Sequence, residues 1–174
     1  RVVKELRRLK KKKEDLPKDS LGIYSFATRK TEKIADVKSF KISEKAGGFV
    51  AYQLEAIKEN KPVDNKTEEK KPASAKKKKP NTDDNGYTLV LKRLGQAKET
   101  SSFGYVKDYA LAKFGQGLLF STTGDSTMKA GLYWYDLQKD ELKNIHQGKS
   151  KFKYRGLSIS EDGTQVAYLV DVDT

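Results

Sequence analysis

The sequence predicts an all-β fold built from a repeated four-stranded unit, and three observations lead to this prediction. Short segments in which apolar and polar residues alternate recur along the chain and are separated by turn residues, as in antiparallel strands. Three of them line up with one another: VKSFKIS at residues 37–43, VKDYALA at 106–112 and YRGLSIS at 154–160. Each is followed by a glycine-containing turn and a second apolar strand, FVAY, LLF or VAYLV.

The spacing of these repeats predicts the architecture. Ser43 and Ala112 are 69 residues apart, and Ala112 and Ser160 are 48 apart. Removing roughly 25 residues of low-complexity sequence brings the first spacing to about 44, within the ~40–50 residues of a four-stranded propeller blade. A hairpin-like segment precedes each repeat, so we expect a partial β-propeller of about three four-stranded antiparallel blades.

The chain divides into five segments under this prediction. Residues 1–18 form a short basic helix or linker, because Leu6 and Leu9 have near-helical spacing and Pro17 stops a helix. Residues 57–85 form a Lys-rich insertion that is too polar to bury a core. The blades are residues 19–56, 86–128 and 129–174, and we expect the third to be truncated and the propeller to continue beyond Thr174.

The distribution of charge along the chain indicates which classes of partner to consider. The formal net charge is +12, of which +5 lies in residues 1–16 and +3 in residues 58–86. Such basic runs raise the alternative of a nucleic-acid-binding protein. Because no aromatic residues are interleaved with either tetralysine, we interpret both as solvated charge and do not expect nucleic acid as a partner.

The chemistry-bearing residues predict no catalytic, cofactor or metal site in this chain. Cysteine is absent, and no Gly-x-Ser-x-Gly nucleophile elbow occurs. His146, the only histidine, is predicted to lie at the surface. NTDDNG at residues 81–86 begins like a calcium loop, but its twelfth position is Lys92 instead of a bidentate glutamate. No apolar run approaches the roughly 20 residues of a membrane-spanning helix.

A resemblance to a known family lies in YWYDLQKDELKNI and LSISEDGTQVAYLV, near the end of the chain. These segments resemble the blade repeat in the prolyl oligopeptidase and dipeptidyl peptidase IV family of serine peptidases, and that of TolB-like propellers. KKKKEDLPKDSLGIYSF and VKSFKISEKAGGFVAY resemble the propeller of bacterial members of the family. The resemblance covers residues 15–56 and 86–173, without the Lys-rich insertion.

The predicted site residues are structural. We expect blades to pack against each other through six apolar side chains: Phe40, Ile42, Tyr109, Leu111, Leu157 and Ile159. Asp162 and Gly163 are expected to form a tight turn, because an aspartate bonds the backbone that follows it and glycine tolerates positive φ.

The resemblance implies a function for the parent protein. This chain would be a non-catalytic propeller segment that gates peptide access to an α/β-hydrolase domain outside it. The implied partners are the remainder of the propeller, that C-terminal hydrolase domain and the peptide substrates, and the implied location is the periplasm or cell envelope. The alternative is a stand-alone TolB-like or WD-like propeller that acts as a protein-interaction scaffold.

Overall fold

A computed structural model describes residues 18–55, 80–94 and 99–172. Within these residues the chain forms eleven strands, every sheet pairing is antiparallel and no helix occurs, so the all-β prediction is confirmed. The strands are β1 (Leu21–Ser25), β2 (Lys30–Ile34), β3 (Val37–Ile42), β4 (Phe49–Leu54), β5 (Tyr87–Arg93), β6 (Glu99–Leu111), β7 (Gly117–Thr122), β8 (Gly131–Asp136), β9 (Glu141–Gln147), β10 (Lys153–Ile159) and β11 (Val166–Asp171).

Strands β3 to β9 form one seven-stranded sheet in chain order, and β1–β2 and β10–β11 form two separate hairpin sheets. The described residues form no closed barrel or ring of sheets. The predicted basic segment at residues 1–17 and residues 56–79 of the Lys-rich insertion lie outside the description. Strands β4 and β5, on either side of that insertion, pair along the whole of β4.

Strand β6 changes partner halfway along its length. It pairs with β5 up to Val106 and with β7 from Val106 onward. Tyr105, just before this point, has a φ of 55°, which is uncommon for a residue other than glycine. The change of partner divides the sheet into a first half, with β3, β4, β5 and residues 99–105, and a second half, with residues 106–111, β7, β8 and β9.

Clusters of buried apolar side chains join four layers in chain order: the β1–β2 hairpin, the two halves of the sheet and the β10–β11 hairpin. One cluster joins the β1–β2 hairpin to the first half, a second joins the two halves, and a third joins the second half to the β10–β11 hairpin. Strand β7 contributes to two of them, since Leu118 and Phe120 enter the second cluster and Leu119 enters the third. Burial on both faces explains why this strand reads as a continuous apolar run instead of alternating.

The hydrogen-bonded sheets group the strands differently from the predicted units. The unit predicted at residues 19–56 consists of the β1–β2 hairpin followed by β3 and β4. In the structure β3 and β4 share a sheet with β5 and β6, and the β1–β2 hairpin packs on that sheet as a separate layer. The alternation of apolar and polar residues identifies strands, but it does not show which other strands share a sheet with them. The division of the chain into blades therefore stays a prediction.

A half-buried ion pair attaches the β1–β2 hairpin to the first half of the sheet. The ammonium of Lys92 on β5 is paired with the carboxylate of Glu32 on β2, and their side chains are 7% and 51% exposed, respectively. Removing the carboxylate leaves the lysine charge largely desolvated and without this partner.

Glu32→Gln is therefore expected to lower the free energy of unfolding by about 1–3 kcal/mol, measured by urea denaturation. Glu141→Gln is the matched control, since its ion pair with Lys143 is more than half exposed at 3.6 Å and should contribute little. Adding Lys92→Met to Glu32→Gln should recover part of the loss, because the buried charge is removed. If the double variant lost as much free energy of unfolding as Glu32→Gln alone, or more, this explanation would be contradicted.

Candidate functional site

The three repeat segments lie side by side, and the turns that follow them are in contact. The amide of Lys45, in the first turn, donates to the carbonyl of Lys113 in the second at 2.9 Å. The Lys113 ammonium lies 2.7 Å from the carboxylate of Glu161 in the third turn. A Cβ on Gly163 would come within 2.9 Å of the Gln116 side chain, so the second and third turns are closely packed.

An open groove of about 560 Å³ lies along these segments, and equivalent positions of all three repeats line it. Positions are counted from the first residue of each repeat, Val37, Val106 and Tyr154. The fifth position supplies one row of the groove, the sixth supplies an apolar row, and the eighth, which lies in the turn after each repeat, supplies a charged row. The lining residues are Lys41, Ala110 and Ser158; Ile42, Leu111 and Ile159; Glu44, Lys113 and Glu161; and also Leu157.

The charged groups of the groove are only partly paired. Hydrogen bonding to Glu161 raises the pKa of Lys113, and the nearby charge of Glu44 contributes. The Lys41 ammonium donates to the carbonyl of Tyr109 at 2.5 Å and lies 5.0 Å from the centre of that ring. Glu44 is exposed and makes no hydrogen bond or ion pair with another residue of the described ranges. The groove thus holds the Glu44 carboxylate, whose charge acts on Lys113 without a direct ion pair, beside the partly engaged ammonium of Lys41.

The predicted packing residues occupy different environments. Tyr109 is buried, burial raises the pKa of its phenol, and its hydroxyl lies 3.0 Å from that of Ser39. Leu111, Leu157 and Ile159 are partly buried. Phe40 and Ile42 are 55% and 60% exposed, so they do not lie in the core of the described chain. Both belong to β3, an edge strand of the seven-stranded sheet, and edge strands have fewer neighbours.

The predicted turn at Asp162 and Gly163 has a dense set of hydrogen bonds. The Asp162 carboxylate accepts from the hydroxyl of Ser160 at 2.5 Å, and from the amide and hydroxyl of Thr164 at 3.1 and 2.8 Å. Gly163 has a φ of 70°. Hydrogen bonds from these hydroxyls lower the pKa of Asp162. The carboxylate therefore stabilises the turn in its ionised form.

Asp162→Asn is expected to lower the melting temperature at pH 7 and to have less effect in acid. Because the folded-state pKa lies below the unfolded value of about 3.9, the carboxylate's contribution is present above about pH 4 and lost as pH falls through the folded pKa. Thermal melts of both proteins at pH 7 and about pH 2.5 check this. Asp84→Asn, at an exposed position with no hydrogen bond to another described residue, is the control at pH 7. If Asp162→Asn lowered the melting temperature by the same amount at both pH values, the prediction would be contradicted.

His146 is only partly exposed, whereas the sequence predicted a surface residue. It lies on β9 with its Nδ1 atom 3.2 Å from the hydroxyl of Tyr168 on β11, and its ring meets that of Tyr154 edge-on at 5.6 Å. The His146 side chain therefore packs between the second half of the sheet and the β10–β11 hairpin.

The segment at residues 81–86, which begins like a calcium loop, contacts other side chains of the protein through Asp83. The Asp83 carboxylate lies 2.5 Å from the Lys38 ammonium and accepts from the hydroxyl of Tyr87 at 2.9 Å. Among the residues that the structure describes, no group of three or more His, Cys, Asp or Glu side chains is placed to hold a metal ion. In the same ranges, no helix has the length and apolar character needed to cross a membrane.

Sequence reasoning missed the charged residues of the groove: Lys41, Glu44, Lys113 and Glu161. A signal was present, because the last three occupy the same position of the aligned repeats. Alignment alone does not show that equivalent positions of successive repeats converge on one groove, which depends on how the strands lie beside one another.

The described fold and groove define an all-β protein in which antiparallel sheets are joined face to face, with a groove along three equivalent strands. No protein-family model matches the chain, and a search of curated proteins finds no significant match.

Proposed function

We propose that this chain is a non-catalytic segment of a β-propeller, about three blades of it, in a serine peptidase that resembles the prolyl oligopeptidase family. The observation that carries the propeller part of this proposal is the order of the layers, and the peptidase part rests on the resemblance of the repeat segments to that family. The β1–β2 hairpin, the two halves of the sheet and the β10–β11 hairpin are joined in chain order, with one apolar cluster at each junction. A propeller arranges four-stranded sheets around an axis in this sequence-adjacent manner.

The position of the groove supports the same proposal. The strands that line it, β3, the second part of β6 and β10, are the first strands of three equivalent pairs. In a propeller, equivalent first strands lie together around the central channel. On this proposal the groove is part of the channel wall, and the chain limits access of peptides to a hydrolase domain elsewhere in the parent protein.

The test uses the full-length gene product and chromogenic dipeptides, with and without a serine-directed organophosphate. We expect hydrolysis that the organophosphate abolishes, and no hydrolysis by residues 1–174 alone. If the full-length protein shows no inhibitable hydrolysis, the peptidase proposal fails and the stand-alone interaction scaffold is favoured. If residues 1–174 hydrolyse peptides unaided, the assignment of a non-catalytic role fails.

A further inference from the structure

We propose that Asn85 is a site of spontaneous deamidation that the fold holds back, and that its conversion loosens the junction between the two halves of the seven-stranded sheet. Asn85 and Gly86 form the only Asn-Gly dipeptide of the sequence. Asparagine is a thermolabile residue, and a following glycine has no side chain to hinder attack on the amide. This property does not depend on the proposed function, because the reaction needs only water and the chain itself.

The reaction has two steps and needs no oxidant or reductant. In the first, the backbone nitrogen of Gly86 forms a bond to Cγ of Asn85 while the Cγ–Nδ2 bond breaks. The proton of the Gly86 nitrogen leaves with Nδ2 as ammonia, and a succinimide ring remains. In the second, water adds to one of the two ring carbonyl carbons, and its other proton returns to the nitrogen. The product is aspartate if the Cγ–N bond opens, or an isoaspartyl linkage if the backbone C–N bond opens.

The folded chain restrains the groups that must react. The Gly86 amide donates to the carbonyl of Thr82 at 2.7 Å, and Nδ2 of Asn85 donates to the carbonyl of Pro80 at 2.9 Å. The carbonyl of Asn85 accepts from the hydroxyl of Thr123 at 2.5 Å. Attack requires a free Gly86 nitrogen and rotation of the Asn85 side chain toward it. Cyclisation therefore needs this turn to open first.

The same peptide lies where three strands meet. Thr123 directly follows β7, and while its hydroxyl donates to Asn85, its amide donates to the Tyr105 carbonyl at 3.1 Å. Gly86 directly precedes β5, is buried, and approaches that Tyr105 carbonyl so closely that an added Cβ would overlap it. An isoaspartyl linkage adds a methylene to the main chain and moves the Asn85 carbonyl away from Thr123. Because the backbone beside Tyr105 has no room to shift, the product loses contacts between β5, the β6 bend and the end of β7.

The first test follows deamidation of the full-length protein at neutral pH, in buffer and in urea, by mass spectrometry of the tryptic peptide that contains residue 85. We expect Asn85 to react at least about tenfold faster in urea, since unfolding removes all three hydrogen bonds. Asn81 is the internal control, because the β-branched side chain of Thr82 crowds the attacking nitrogen there. Equal rates for Asn85 in buffer and urea, or no reaction in urea, would overturn the proposal.

The second test removes one restraint. Thr123→Val keeps the shape of the side chain but not the donor to Asn85, and should raise the deamidation rate in buffer about fivefold. Thr123→Ser keeps the hydroxyl and should retain the original rate. Thr28→Val, which removes an exposed hydroxyl outside the junction, is the matched control. Circular dichroism establishes that the variants are folded. A Thr123→Val rate no higher than that of Thr28→Val, or an equal increase in Thr123→Ser, would show that the hydroxyl does not restrain the reaction.

The third test concerns the product. Ion-exchange chromatography separates the deamidated protein, which carries an additional negative charge, from the unmodified protein. We expect the deamidated protein to unfold at a lower urea concentration, with the isoaspartyl form affected more than the genetic variant Asn85→Asp, which has no additional methylene. Identical unfolding midpoints for the modified and unmodified proteins would overturn the proposed loosening of the junction.

Discussion

Phe120→Ala is expected to lower the free energy of unfolding by about 3–5 kcal/mol. Phe120 is fully buried on β7, in the cluster that joins the two halves of the seven-stranded sheet. Its ring centre lies 4.4 Å from that of Phe103 in the first half and 5.8 Å from that of Tyr133 in the second. Truncation leaves a cavity at the junction and removes both ring contacts. Urea denaturation followed by fluorescence measures the change.

Phe26→Ala is the matched control for this prediction. Phe26 is 88% exposed in the turn of the β1–β2 hairpin, so the same chemical change should alter stability by no more than about 0.5 kcal/mol. If the two variants lose similar amounts of stability, the junction between the sheet halves does not have the packing described above.

Gly86→Ala should destabilise the protein by about 2–5 kcal/mol, for two independent reasons. Gly86 has a φ of 94°, which side-chain-bearing residues rarely adopt. A Cβ at this position would lie 2.4 Å from the Tyr105 carbonyl oxygen, and that atom belongs to backbone that cannot rotate away. Because Tyr105 lies where β6 changes partner, the strain falls on the bend that separates the two halves.

Gly47→Ala provides the comparison. Gly47 has no heavy atom within 4 Å of an added Cβ and no positive φ, so alanine should be neutral or slightly stabilising. Thermal melts of both variants distinguish the two sites. A Gly86→Ala protein as stable as the Gly47→Ala protein would show that the approach of residue 86 to the β6 bend is not required.

The groove along the three repeat segments depends on the same arrangement of hairpins and sheet halves. Its three rows come from repeats that are far apart in the chain, and the groove exists only if β3, β6 and β10 stay side by side. The contacts between the turns, from the Lys45 amide to the Lys113 carbonyl and from Lys113 to Glu161, maintain that order.

Several features of the fold follow from short-range pattern. The strand positions were predictable because alternation and turn residues are local properties of the sequence. The turn at Asp162 and Gly163 was predictable for the same reason, since the hydrogen bonds of Asp162 reach only two residues in either direction. The buried position of Tyr109 agrees with its place in an aligned apolar repeat.

The candidate site was much less predictable. Its residues belong to three segments, and the ion pair between Lys113 and Glu161 joins positions 48 residues apart. Phe40 and Ile42 have the same local pattern as the other repeat residues, yet they lie on an edge strand and are exposed. Whether an apolar side chain is covered depends on which strand comes to lie beside it, and a local pattern carries no information about that neighbour.

The all-β class, the three related repeats and the turn that follows the last of them can be predicted from local sequence, because period-two alternation and the demands of tight turns act between near neighbours. The three-dimensional arrangement was needed to show that β3 and β4 join β5 and β6, and that three apolar clusters connect the hairpins and sheet halves in chain order. It was also needed to show that Lys41 and Glu44 line one groove with Lys113 and Glu161. These features depend on long-range register and on the change of partner in β6, which are set by the packing of whole sheets.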